Sequence, residues 1–311
     1  MNNSKVKNQS NYLGLILGFS GYIIFVFLDS LIKKYLVNTY PVFQINFFIC
    51  IFAFLPILIT FQYLKCWKVL NNNKIHIQFF RGLLGLVAGS LIVYSFRYHS
   101  FNEIYPILFS APLILTAFSF FFLNEKVGLK RWSAVLIGFV GVIIVSRPGS
   151  VHFTWALGGC FIVAIIIALN IIIIRKFANT QSSLAFAFYG TLAGFLGSGL
   201  MTISYYVEPS YSDLIIFIVC GVCAGIGGMC ISTASKLLES SIFAPIQYTQ
   251  LIAGFIFGYL FFKDFPDTYE IIGSVIIASS GLFIFYRESS LGLRPFFNSK
   301  TRLRDFFLRL H

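Results

Sequence analysis

The chain's acid–base stock is eleven carboxylates and four histidines in 311 residues, and its placement argues against catalysis. His76, His99, His152 and His311 are scattered through loops and the tail. There is no H-E-x-x-H pair for zinc, no phosphate-cradling P-loop and no G-x-S-x-G elbow. The six cysteines fall mostly in apolar runs, where a thiol behaves as a small hydrophobe. The single C-x-x-C, Cys220 to Cys223, has no histidine near it, so neither a metal site nor a cofactor is called for. One acid stands apart. Asp29 lies inside an apolar run, where a charge costs about 3 kcal/mol or more, and this makes it a candidate substrate ligand. Lys33, four residues on, offers the structural alternative of an i,i+4 ion pair.

With so little charge in the apolar runs, recognition has to come from neutral dipoles and aromatic faces. Gln247, Gln250, Gly254 and Gly258 recur at i, i+3, i+7 and i+11, a polar and small stripe that faces either a cavity or another helix. Asn170, Gln44, Asn46, Tyr94, Tyr98 and Tyr248 are further candidates, although tyrosines near the ends of runs also serve as interfacial anchors. Pro106, Pro112 and Pro245 can open backbone carbonyls toward a cavity; for Pro106 and Pro245 the alternative is that they begin their helices. Gly221, Gly225, Gly228, Ser232 and Ser235 form one small-residue stripe and Gly190, Gly194 and Gly197 another, the pattern of closely packed helices.

What must position these groups is a set of membrane spans. Apolar residues make up 58% of the chain and charged ones 11%, and the apolar residues arrive in runs of roughly 17–25, enough for a ~30 Å hydrocarbon core. Cutting at charge clusters and turn residues predicts ten helices near 12–32, 42–64, 80–98, 104–123, 132–146, 154–174, 183–205, 212–235, 241–262 and 268–286. They must be helices because lipid offers the backbone no partner, and the alternation of a membrane barrel is absent. The first run follows Lys5 and Lys7 without a small-residue cleavage site and reads as a retained helix.

The net charge of +12 is explained by topology before nucleic acid. With the N-terminus inside, Lys33, Lys34, Arg97, Arg147 and Lys263 fall outside, and the other eighteen of the 23 cations, Arg81 among them, fall in cytoplasmic segments. That asymmetry puts both termini in the cytoplasm. The basic tail carries Leu303, Phe306, Phe307 and Leu310 at helical spacing and reads as a helix on the anionic cytoplasmic leaflet, with disorder as the alternative.

The chain also repeats itself. A shift of 139 residues lays Pro106 on Pro245, Glu125 on Asp264 and Ala134 on Gly273, and a shift of 141 lays Asp29 on Asn170 and Lys34 on Arg175. Five spans per half is an odd number, so the second half is inverted relative to the first. The organisation expected is a cytoplasmic segment over 1–11, a first five-helix repeat over 12–149, a second over 150–287 and a basic cytoplasmic tail over 288–311. Glu125 and Asp264 end the fourth and ninth helices and are read as structural, fixing those ends against the following loop.

The stretch Leu123-Asn-Glu-Lys-Val-Gly-Leu-Lys-Arg-Trp132, followed by Gly138-Phe-Val-Gly141 and Arg147-Pro-Gly149 and preceded by Ser110-Ala-Pro112, resembles the first EamA domain of the drug/metabolite transporter superfamily. Through Phe79-Phe-Arg-Gly-Leu-Leu84, Lys34-Tyr-Leu36, Phe121-Phe-Leu-Asn-Glu125 and Phe265-Pro-Asp267 it further resembles the S-adenosylmethionine uptake carriers of intracellular bacteria. It departs from them where Ser30 stands for an expected Asp, with Asp29 one residue early, and where Ile49 replaces an expected Arg.

The resemblance implies an all-α membrane protein of ten transmembrane helices in two inverted EamA repeats. In that family the first, third, fourth, sixth, eighth and ninth helices surround a central cavity opened alternately to each side. It implies a secondary transporter of the inner membrane for a small organic metabolite, with S-adenosylmethionine as the suggested substrate. Aromatic faces such as Tyr94 and Tyr248 suit a diffuse sulfonium cation, and Gln247, Gln250 and Asn170 suit its adenine and amino-acid ends. An amino-acid or drug exporter, a lipid flippase and a non-transporting scaffold remain alternatives. Transport is expected to be facilitated diffusion or exchange, Asp29 being the one group placed to carry a proton. The expected partners are the small-molecule substrate and membrane lipid, without nucleic acid.

Overall fold

A backbone in lipid must satisfy its own hydrogen bonds, and among the described residues the computed structural model contains helices and no strand. It describes residues 2–70, 75–123, 128–147, 154–177, 181–238, 243 and 246–290. The elements in chain order are α1 (Asn2–Leu31), which runs on into a π-helical turn (Ile32–Leu36), α2 (Val42–Leu64), α3 (Ile75–Ser95), α4 (Phe101–Leu108), α5 (Ser110–Leu123), α6 (Leu129–Ser146), α7 (Trp155–Lys176), α8 (Ser183–Thr202), α9 (Tyr211–Leu237), α10 (Thr249–Phe262) and α11 (Thr268–Ser290). Among the described residues seven stretches are long and apolar enough to cross a membrane: Tyr12–Leu36, Val42–Leu64, Ile75–Ser95, Phe101–Phe122, Trp155–Lys176, Ser183–Tyr205 and Tyr211–Leu237. Three shorter apolar helices, Trp132–Ser146, Thr249–Phe262 and Thr268–Phe283, accompany them.

The fourth expected span is two helices. Its start is set by a capping box in which Ser100 Oγ accepts from the Glu103 N–H at 3.3 Å and Glu103 Oε2 accepts from the Ser100 N–H at 3.0 Å. Pro106 therefore sits inside α4 and does not begin it. The helix stops at Leu108 because Pro112, lacking an N–H, cannot bond the carbonyl four residues earlier. After Phe109 the chain restarts as α5 with Pro112 in its first turn. Both bounds of α5 return 139 residues later as the bounds of α10. The start of α10 follows a turn at Gln247 and Tyr248, so Tyr248 occupies in the second half the place of Phe109 in the first. Pro245 and Glu125 lie outside the described residues, as does the tail from 291 on.

The related helices α6 and α11 cross closely. A Cβ on Gly141 would sit 2.8 Å from the Gly273 carbonyl oxygen, and one on Gly273 would sit 2.6 Å from the carbonyl of Gly141. The Gly138-x-x-Gly141 pattern is thus a packing device. The α9 stripe is partly the same: Gly221 lies on Phe52 and Gly225 on Ala53 and Pro56 of α2.

One end of the bundle is closed by a polar layer. Lys33 Nζ donates to the carbonyls of Phe96, at 3.1 Å, and His99, and lies 5.7 and 5.5 Å from the Phe101 and Phe262 rings. The alternative reading of Asp29, an ion pair with Lys33, does not form, because the π-turn that begins at Ile32 changes the register and turns Lys33 toward α3 and α4. Arg97 donates to the Val37 and Tyr40 carbonyls at 2.8 and 2.7 Å. The His99 ring nitrogens meet Glu103 at 2.9 Å and Thr154 at 2.5 Å, Tyr40 donates to Asp213 at 2.7 Å, and Arg147 pairs with Asp267. Gln44 uses both ends of its amide on the Val207 peptide, at 2.5 and 2.8 Å, which gives it a structural role. Asp264 lies just past α10, in the loop before α11, and its charge together with that of Glu103 reaches the Lys33 ammonium.

Candidate functional site

The two chain breaks meet in the interior. The rings of Phe109 and Tyr248 lie 6.0 Å apart, both residues are buried, and Phe109 stacks in turn on Tyr105 at 6.1 Å. Tyr105, 2% exposed, donates from its hydroxyl to Asp29 Oδ2 at 2.8 Å. Asp29, the one acid read as intramembrane, thus faces the first break. The adjacent Ser30 is spent on its own helix, with Oγ on the Val26 carbonyl at 2.8 Å. The aromatic ladder Tyr105–Phe109–Tyr248 joins Asp29 on α1 to the turn that precedes α10.

Several polar atoms are buried without a hydrogen-bond partner, among them the Tyr248 hydroxyl on this ladder, the side-chain oxygen of its chain neighbour Gln247, the Asn102 oxygen one turn before Tyr105, and the Tyr22 hydroxyl and Asn170 oxygen. An unsatisfied buried group costs about 1–3 kcal/mol, so such groups call for an explanation beyond the fold. Tyr22 packs with Phe243, ring centroids 5.8 Å apart, in a cluster that also takes in Ala168, Ile171 and Ile246. Asn170 and Gln247 therefore belong to segments that converge on α1. The Tyr248 ring packs closely against Gly281, where a Cβ would come within 2.0 Å of it.

Not every candidate arrives here. Tyr94 is 42% exposed and packs on Tyr98 at 5.1 Å, toward the polar-layer end of α3. Gln250 is half-buried in the first turn of α10, while Gly254 and Gly258 pack on Tyr105 and on Phe101 and Asn102 of α4. The lower part of that stripe is therefore a helix contact. Pro106 and Pro112 flank Phe109 in the chain and are buried.

Two residues that the sequence reading passed over matter more. Tyr105 was hidden as one aromatic in a run of them, though its place beside Pro106 was a signal. Arg81, counted with the loop cations, is instead on α3, inside the Ile75–Ser95 span. It lines a cavity of about 220 Å³ walled by α2, α3, α8 and α9. Of the helices expected around a central cavity, this one uses the third and eighth spans and adds the second and seventh.

A chain break at Phe109 and a turn before α10, facing each other with polar groups beside them, fit a class of membrane carrier that presents polar groups where the backbone breaks. The comparisons with known proteins agree. The chain belongs to the EamA-like transporter family, whose model matches residues 12–147 and again 154–286. A protein of Rickettsia prowazekii named S-adenosylmethionine uptake transporter is 26% identical over 277 residues, covering 89% of this chain and 94% of its own. Its counterpart in Rickettsia felis is 26% identical over 260 residues, covering 84% and 88%. A riboflavin transporter of Rhizobium johnstonii is 23% identical over 190 residues, covering 61% and 63%. A solved crystal structure superposes with a TM-score of 0.70 at 14% identity, over 89% of this chain and 98% of its own, and it speaks for the fold alone.

Proposed function

We propose that this chain is a secondary carrier of the bacterial inner membrane that moves S-adenosylmethionine inward by alternating access. In this reading ten spans form two inverted five-helix repeats, with both termini in the cytoplasm. The observation that carries it is the meeting of the two breaks at Phe109 and Tyr248, beside Asp29–Tyr105 and unsatisfied side-chain oxygens. Transport needs a site that forms hydrogen bonds with the ligand and gives them up again, and a centre whose dipoles are unspent supplies one. Tyr248 offers an aromatic face to a sulfonium. Asp29 adds a carboxylate whose charge is shared with the Tyr105 hydroxyl, and Gln247 and Asn170 contribute acceptors for adenine and amino groups. The substrate reading leans on the printed names of the Rickettsia proteins.

The test is uptake of labelled S-adenosylmethionine by cells expressing the chain, challenged with unlabelled S-adenosylhomocysteine, methionine, riboflavin and unrelated amino acids. Saturable uptake displaced by S-adenosylhomocysteine is expected. Uptake no higher than in cells carrying empty vector rules this substrate out. Orientation is checked separately with a Cys at Gly128, which a membrane-impermeant reagent should miss in intact cells.

A further inference from the structure

The Arg81 cavity takes its walls from helices that carry none of Tyr105, Phe109 or Tyr248, and it has a chemistry of its own. A guanidinium in an apolar span is costly unless compensated. Arg81 has partial compensation: Nη2 donates to the Phe186 carbonyl and the group lies 5.5 Å from the Phe186 ring. Its Nε is buried with no hydrogen-bond partner. No acidic side chain is among the described residues that line the cavity. The walls are cut back around it. Gly190 leaves room for the guanidinium, since a Cβ there would lie 2.3 Å from Nη2, while Cβ atoms on Gly85 and Gly228 would meet nothing within 4 Å. The hydroxyl-bearing Thr191 and Ser232 complete a small polar lining. At about 220 Å³ the space is below the roughly 300–1,000 Å³ that encloses a whole drug-sized ligand. It suits one polar end of such a molecule.

We propose that this cavity is a subsite for the carboxylate of an amino-acid-bearing solute, which pairs with the Arg81 guanidinium. A guanidinium presents N–H donors in a planar fork, and a carboxylate presents two matching oxygens. The inference rests on the carrier reading above and narrows its substrate class to solutes with a free carboxylate.

Binding to the purified chain in neutral detergent tests it, with S-adenosylmethionine, decarboxylated S-adenosylmethionine, the twenty amino acids, methionine methyl ester and phosphatidylglycerol as probes. We expect the carboxylate-free analogues to bind at least tenfold more weakly than their parents. Arg81→Gln should weaken the parents at least tenfold and leave the analogues unchanged, and Arg81→Lys should fall between. Gly85→Leu fills the open wall with Arg81 in place and should also weaken the parents, which keeps the test sound if Arg81→Gln does not fold. Equal binding of parents and analogues overturns the inference, as does an Arg81-dependent response to phosphatidylglycerol alone, or no binding of any carboxylate probe. If an amino acid binds through Arg81 while S-adenosylmethionine is neither bound nor taken up, the subsite stands and the substrate reading falls.

Discussion

The polar layer at the Lys33 end and the centre at Phe109 and Tyr248 treat buried polarity in opposite ways. In the layer Lys33, Arg97, His99 and Asp213 each meet a partner from a distant stretch of chain, and Arg147 pairs with Asp267 although its Nε is left without one. At the centre the Tyr248 hydroxyl and the Gln247 and Asn170 oxygens are spent on nothing. Satisfied polar groups hold an arrangement in place; unsatisfied ones cost stability and are retained where something other than the fold requires them. The layer accordingly reads as a latch over one end and the centre as the proposed substrate site.

The comparison can be broken most forcefully at Asp29. Asp29→Ala removes the carboxylate and strands the Tyr105 hydroxyl, so uptake should fall at least tenfold, whereas Tyr105→Phe should fall less because the acid survives. Uptake measured on both variants at matched membrane expression checks the order. If proton coupling runs through Asp29, an imposed pH gradient will drive accumulation and Asp29→Asn will abolish it; the expected result is that the gradient has no effect.

The next effect is on stability. Lys33→Met deletes a charged donor to two carbonyls and its contacts with two rings, a loss of about 1.5–3 kcal/mol, read as a lower melting temperature in detergent. Ser100→Ala removes one half of the α4 capping box and should cost about 1 kcal/mol.

The smallest expected effect belongs to the Arg147–Asp267 pair. Partial burial pushes the Asp267 carboxyl up, but the hydrogen bond and charge of Arg147, together with the backbone N–H groups of Glu270 and Tyr269, outweigh it and hold the group below its ordinary range. A lowered folded-state value means that the pair's contribution is present above about pH 4, the ordinary carboxylate range, and is lost as pH falls through the lowered value. Asp267→Asn should therefore destabilise slightly at pH 7, by up to about 1 kcal/mol as for exposed pairs, and the difference from wild type should vanish in acid. A melting-temperature series across pH 3–7 reads it.

Hydropathy made the helices legible, because burial in lipid is written locally in each run, and the motifs around Leu123–Trp132 made the family legible. The break at Phe109 was half legible: Pro106 and Pro112 announced an interruption without saying that Phe109 would face its counterpart, Tyr248. What the sequence hid was rotation and partnership. Asp29 finds Tyr105 76 residues away and Gln44 finds Val207 163 residues away, and no spacing rule reaches that far. The alternative of a Lys33–Asp29 pair fails because the i,i+4 rule assumes an unbroken α-helix, and the chain turns π-helical at Ile32. Arg81 was misassigned because counting cations by loop ignores one set into a helix, even though its neighbours Phe79, Phe80, Leu83 and Leu84 are all apolar.

The contrast between latch and centre is tested most directly by Tyr248→Phe, which deletes one buried, unpartnered hydroxyl and leaves the ring on Gly281 and beside Phe109. Melting temperature and labelled S-adenosylmethionine uptake would be measured on the same purified and reconstituted protein. The account predicts a melting temperature equal to or above that of wild type with uptake reduced at least fivefold; a lower melting temperature with uptake unchanged would contradict it.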